Sequence, residues 1–130
     1  MKIEVSNGEI LDKYTILAIK LAEIKDEAKL ANVRNEYDSL TPAVESIYNS
    51  VANQEDLESL HTDLLNVNKT LWNIEDHIRD CERDKDFGQD FIELARSVYY
   101  TNDDRADVKK KINTLTGSTL VEEKSYQEYV

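Results

Sequence analysis

The stretch LESLHTDLLNVNKTLWNIEDHIRDC, residues 57–81, decides the fold. Its apolar residues Leu57, Leu60, Leu64, Val67, Leu71, Ile74, Ile78 and Cys81 step by three and four in unbroken alternation. That spacing puts all eight on one side of an α-helix and makes a seam about seven turns long. A helix is therefore predicted over about residues 55–84, as the spine of a bundle. Cys81 fits the seam as a small apolar side chain, which reads as core and not as a nucleophile.

Upstream, Ser6 and Glu9 form an S-x-x-E capping box, the mark of a helix start. Ile10, Tyr14, Leu17, Leu21 and Ile24 follow at spacings of four and three, while Leu11, Ile16, Ala18 and Ile19 add apolar surface on other sides. A helix apolar nearly all round is either central in its bundle or buried against a second subunit, so a homo-oligomer through this first helix is one expectation. Asp26 can cap a second helix reaching Leu40. Thr41-Pro42 reads as a reset, with proline at the first position of a new helix through Val44, Ile47, Tyr48 and Val51, and a break at Asn53 or Gln54.

Downstream, Asp86-Phe87-Gly88 closes the spine and opens a helix with Phe87, Phe91, Leu94 and Val98 on one face. Thr101-Asn102 reads as the next cap, with Asp103 and Asp104 early and Lys109, Lys110 and Lys111 late, before Gly117 as a stop. Acid first and base last suit a helix dipole, which explains the lysine run without nucleic acid. The expected architecture is an all-α antiparallel bundle of five to six helices in one domain, residues 1–130, with 118–130 a flexible or folded-back tail.

Composition agrees with that reading. Glycine occurs only at 8, 88 and 117 and proline only at 42, too few turn residues for a β-sandwich or barrel. The longest apolar stretch, Tyr14–Ile24, is interrupted by Lys20 and Glu23, so no membrane span is expected. Residues 2–5 alternate as a short extended lead-in without a signal-peptide pattern. A lone cysteine rules out an intrachain disulfide, and a cytoplasmic location is the expectation. The net charge is −11, and residues 41–80 carry two basic against eight acidic side chains. Binding a phosphate backbone needs clustered cations, so nucleic acid is not an expected partner. The acid serves either solubility or docking, and both readings stay open.

Isolated glycines exclude a phosphate-cradling loop, and no zinc-type or hydrolase motif occurs, so neither a cofactor nor a metal is expected. Glu58-Ser-Leu-His61 supplies half of a di-iron pattern, but Asn73 and Ile74 stand where His77 would need a carboxylate. Glu55 and Glu58 supply the first half of a pyrophosphohydrolase pattern whose E-x-x-D is missing.

One polar constellation remains. On the heptad of the spine, Asn68, Trp72, Glu75 and Arg79 form a stripe at the edge of the core. Lys13 and Lys20 flank the seam of the first helix; Arg96 and Tyr99 flank the Phe91–Val98 face, and Arg105 and Lys109 flank Val108. If these edges converge, they line a cleft for a small anionic ligand, with Glu75 as candidate acid or base. The plain alternative is that Trp72 widens the core, Glu75–Arg79 is a helix-surface pair and the other cations make internal ion pairs.

The runs IEVSNGEILDKYTIL at 3–17, AKLANVRNEY at 28–37, LWNIEDHIR at 71–79, FIELARSVY at 91–99, NDDRA at 102–106 and LVEEKSY at 120–126 resemble a family of small uncharacterised proteins. The resemblance covers nearly the whole chain and implies occurrence in bacteria, sometimes near surface-polysaccharide genes, and in phages of marine cyanobacteria, with no established activity. Lys13 and Lys20 also loosely resemble the helical chorismate mutases, which bind a dianion between helices, although the first helix here contains no arginine. The leading expectation is a non-enzymatic binding or regulatory protein whose partner is another protein or a small anion. The alternative is an enzyme acting on a small anionic metabolite, and a purely structural assembly is a third class.

Overall fold

The computed structural model describes residues 1–129. Among them are four helices, α1 (Asn7–Glu23), α2 (Glu27–Ser50), α3 (Gln54–Arg83) and α4 (Gln89–Thr116). The all-helical class and the long α3 are as expected, but the helices number four, not five to six. The expected tail reaches Val130, which lies outside the described residues; residues 118–129 carry no helix.

The chain makes its boundaries with the predicted side chains. Ser6 Oγ accepts from the Glu9 N–H at 3.2 Å, Asp26 from the Lys29 N–H at 3.0 Å, and Asn53 from the Asp56 N–H at 3.3 Å. Gly117 ends α4 in the left-handed region at φ 65°. The two missing breaks are at Pro42 and at Thr101-Asn102, both inside continuous helices. Pro42 lies on the exposed side of α2, where the carbonyl it leaves unpaired meets water. Beside it the Thr41 hydroxyl donates to the Tyr37 carbonyl at 3.0 Å and is hydrogen-bonded to the Tyr14 hydroxyl at 3.0 Å, while the Tyr14 and Tyr37 rings stack with centroids 4.2 Å apart. α1 thus splints the two halves of α2. At Thr101-Asn102, pairing of α4 with α3 along their length overrides a weak capping preference. The lysine run consequently sits within α4 and not in its last turn, which contains no basic residue, so the dipole explanation gives way to specific ion pairs.

α1 is central: it packs on α2, α3 and α4. Leu11, Leu17 and Ile19 are buried within the chain, while Ile10, Tyr14, Ile16 and Leu21 are half-buried. One core cluster, Leu11, Val44, Ile47, Leu57, Leu64 and Ile112, draws on all four helices. The α3 seam is buried at Leu57, Leu64 and Ile74 and half-buried at Leu60, Val67 and Leu71, and at Ile78 and Cys81 beyond the end of α1.

The first turn of α1 meets the last turns of α4 at very close range. The Gly8 N–H donates to Asn113 Oδ1 at 2.7 Å, and a Cβ at Gly8 would come within 2.7 Å of the Lys109 carbonyl oxygen. Backbone cannot yield there as a flexible side chain would. Gly8→Ala is expected to destabilise the protein by about 1–3 kcal/mol, read as a lower urea midpoint with an unchanged slope.

Candidate functional site

Two stripes face each other across the α1–α4 contact. On α1, Gly8, Asp12, Thr15 and Ile19 are all buried; on α4, Arg105, Lys109 and Asn113 recur every four residues. Asp12, only 1% exposed, accepts two hydrogen bonds from the Arg105 guanidinium, through Nε at 2.9 Å and through Nη2. The Asn68 amide, reaching in from α3, donates to Asp12 at 2.9 Å and to the Thr15 hydroxyl at 2.8 Å. Thr15 in turn donates to the Asp12 carbonyl at 2.7 Å.

Lys109 closes the group on its outer side. Its ammonium donates to Glu9 at 2.7 Å and to Glu122 of the tail at 2.8 Å, and lies 3.8 Å from Asp12. The neighbouring Lys110 donates to Glu123 at 3.0 Å. The tail is anchored at its root by Ser118, whose hydroxyl accepts from the Asn7 N–H at 3.1 Å, and near its end by Tyr129, which donates to Asp103. Between tail and α4 lies an open groove of about 540 Å³, lined by Lys109, Lys110 and Asn113 of α4 and by Glu122, Lys124 and Tyr126 of the tail.

The charges answer one another. Burial pushes the Asp12 carboxyl up, but hydrogen bonds from Arg105 and Asn68 and the nearby cations outweigh it and hold the group below the usual carboxylate range. Burial likewise pulls Lys109 down, and the carboxylates of Glu122 and Glu9 outweigh that and raise it. Hydrogen bonding to Lys109 lowers Glu122. No buried side-chain polar atom among the described residues is left without a partner.

Of the expected cleft residues, Asn68, Arg105 and Lys109 meet. The others do not join them. Lys13 is exposed and pairs with Glu36 at 3.7 Å. Glu75 and Arg79 face solvent and pair with each other at 3.7 Å, the plain helix-surface alternative. Trp72 lines a separate small groove with Ala18, Ala22 and Lys69. Arg96 is exposed beside Tyr99 and Tyr100, and the Tyr99 ring packs edge-on to Tyr129 at 5.2 Å. His61, from the E-x-x-H run, shares a 2.8 Å hydrogen bond with the Tyr48 hydroxyl through Nδ1, and burial lowers its pKa. Among the described residues no group of three or more His, Cys, Asp or Glu side chains is arranged to hold a metal ion.

Asp12, Glu9, Thr15 and Glu122 escape a reading built on apolar spacing and cation positions. Their signal is the Gly8–Asp12–Thr15 stripe inside an otherwise apolar helix, four and three apart, a polar lane that only a matching lane on another helix can fill.

The chain is thus a four-helix protein with a buried ion-pair cluster shared by three helices and closed by a C-terminal strap. It belongs to a family of unknown function, DUF6165, whose profile matches residues 1–130. No curated protein and no solved structure matches it, and no described helix is long and apolar enough to cross a membrane.

Removing Asp12 would leave the half-buried Arg105 without its carboxylate and the buried Asn68 amide without one of its acceptors, while Lys109 keeps Glu9 and Glu122. Asp12→Ala is expected to cost about 3–5 kcal/mol in urea unfolding, while Arg79→Ala stays within about 0.5 kcal/mol. Because the folded pKa of Asp12 lies below its unfolded value of 3.8, its contribution is complete above that pH and is lost as pH falls through the folded value. Lys109, raised above 10.5, contributes fully below that pH and loses the contribution as pH climbs through the folded value. Melts across pH should therefore show both flanks in the wild type, with the acid flank reduced in Asp12→Ala.

Proposed function

We propose that this protein is a non-enzymatic binding module with regulatory character, which takes a small dianion or an acidic peptide segment in the groove between α4 and the tail. The supporting observation is the seating of Glu122 and Glu123 on Lys109 and Lys110 at 2.8 and 3.0 Å. Two adjacent carboxylates on a helix-free segment occupy two adjacent ammonium groups at the edge of an open groove. A ligand bearing two carboxylates or phosphates reproduces those contacts and displaces the tail. Arg105 is not part of this exchange, because Asp12 already holds it through two hydrogen bonds.

The enzyme reading draws less support. It needs Glu75 beside the gathered cations, whereas Glu75 is exposed and paired with Arg79. The absence of a cysteine pair in the sequence favours a cytoplasmic setting for the module.

Calorimetric titration with pyrophosphate and with citrate tests the reading. Glu122→Gln/Glu123→Gln removes the internal competitor and is expected to bind at least one of the two probes several-fold more tightly than the wild type. Adding Lys110→Met, a surface change that leaves the buried cluster intact, should remove most of that gain. Equal affinity of the wild type and the double variant, or no binding by either, would exclude the tail as a stand-in for ligand.

A further inference from the structure

The α3–α4 pair continues past the end of α1 as a two-helix arm. α1 stops at Glu23, beside Trp72 and Asn73, while α3 runs ten residues further from Ile74 to Arg83, about 15 Å. The seam is buried at Leu57, Leu64 and Ile74 and half-buried at Leu60, Val67 and Leu71; past Ile74, Ile78 and Cys81 are half-buried, and so are Phe91, Leu94 and Val98 opposite. Phe87 and Ile92, near the tip, are about half exposed. Past Ile74 no apolar residue of the arm is fully buried, and α1 ends before this level of the α3–α4 pair.

A groove runs between the two helices of the arm, with Cys81 and Leu94 in it and His77, Asp80, Asp90 and Glu93 along it. The rim is one-sided in charge. From Ile74 to Tyr100 the sequence has eight acidic and four basic residues. Arg79, Arg83 and Lys85 are taken up by Glu75, Asp80, Asp84 and Glu82. Arg96, exposed on α4, lies beside Tyr99 and Tyr100 and makes no ion pair among the described residues. Asp90 and Glu93 make no ion pair among the described residues, and Glu93 accepts only from Gln89, at 3.2 Å.

From this juxtaposition we infer that the arm is a docking surface for a basic amphipathic helix of a partner protein, its apolar face on Cys81 and Leu94 and its lysines or arginines beside Asp90 and Glu93. Charge decides between occupants. A second copy of this chain would bring an equally acidic arm against the first, whereas a cationic helix gains from the field that repels the copy. The helix-in-groove mode needs only the apolar stripe and the flanking charge that the arm presents. This surface is separate from the tail-covered groove and does not depend on the function proposed for it.

Cys81, the only cysteine, reports on the groove. The full-length protein is incubated with a synthetic leucine–lysine helix of about five turns, or with a leucine–glutamate helix of the same pattern, and alkylation of Cys81 is timed. The leucine–lysine helix is expected to slow alkylation by about tenfold or more at saturation, and the leucine–glutamate helix to leave it unchanged. Asp90→Asn/Glu93→Gln should weaken binding of the basic helix about tenfold, while Asp56→Asn/Asp63→Asn, which lowers total charge equally, should not. Equal weakening by both double variants would show attraction to overall charge and overturn the assignment. So would binding that leaves Cys81 unprotected, or protection that rises with protein concentration in the absence of peptide, the sign of a second copy in the groove.

Discussion

A carboxylate with almost no access to water sits where three helices meet, and the contact between Asp12 and Arg105 organises what surrounds it. A buried carboxylate must be met by a cation and by donors for its remaining lone pairs, and each requirement fixes one helix. Arg105 sets the register of α4 on α1, Asn68 sets α3, and Lys109 then sits where Glu9 and the tail can reach it. An apolar seam alone tolerates a shift by a turn or a heptad; the ion pair does not. The cluster thus contributes uniqueness of packing more than net stability, since a well-packed apolar trio of the same volume could be equally stable.

The same contact divides the molecule into unlike halves. Around Asp12 the helices are packed on several sides, and the core cluster of Leu11, Leu57, Leu64 and Ile112 lies alongside. Beyond Trp72 the α3–α4 pair has only itself; Ile74 is still buried there, while Ile78 and Cys81 are half-buried, as Leu60, Val67 and Leu71 are alongside α1. One heptad pattern therefore serves two environments. Burial of a seam residue is set by its own neighbours as well as by whether α1, which is shorter than α3, is present at its level.

That dependence also explains which features could be read from the residues. The α3 seam predicts a helix at 55–84, and the structure has one at Gln54–Arg83, because eight apolar residues in strict spacing leave little choice. Ser6, Asp26, Asn53 and Gly117 are legible because caps act within a turn of themselves. Pro42 and Thr101-Asn102 mislead because the packing of whole helices, α2 on α1 and α4 on α3, outweighs a local preference for a break. Within the site, cations beside a core are conspicuous, so Arg105 and Lys109 stand out with Asn68. Their carboxylate partner is inconspicuous, since an aspartate on a helix usually faces water. Trp72, Arg79, Arg96 and Lys13 share the same flanking positions yet end elsewhere, because a heptad places a residue on a face without stating which neighbour that face will meet.

The spacing of the cluster along the chain governs how the molecule comes to be made. Asp12 and Arg105 are 93 residues apart, and Gly8 and Asn113 are 105 apart. The α1–α2 hairpin, with its Tyr14–Tyr37 stack, needs only neighbours in sequence and can form early. Its aspartate, however, has no arginine to meet until the chain has reached Arg105, midway along α4. The polar contact that fixes the register of the first helix is therefore among the most distant in sequence, and forming it closes a loop of most of the chain.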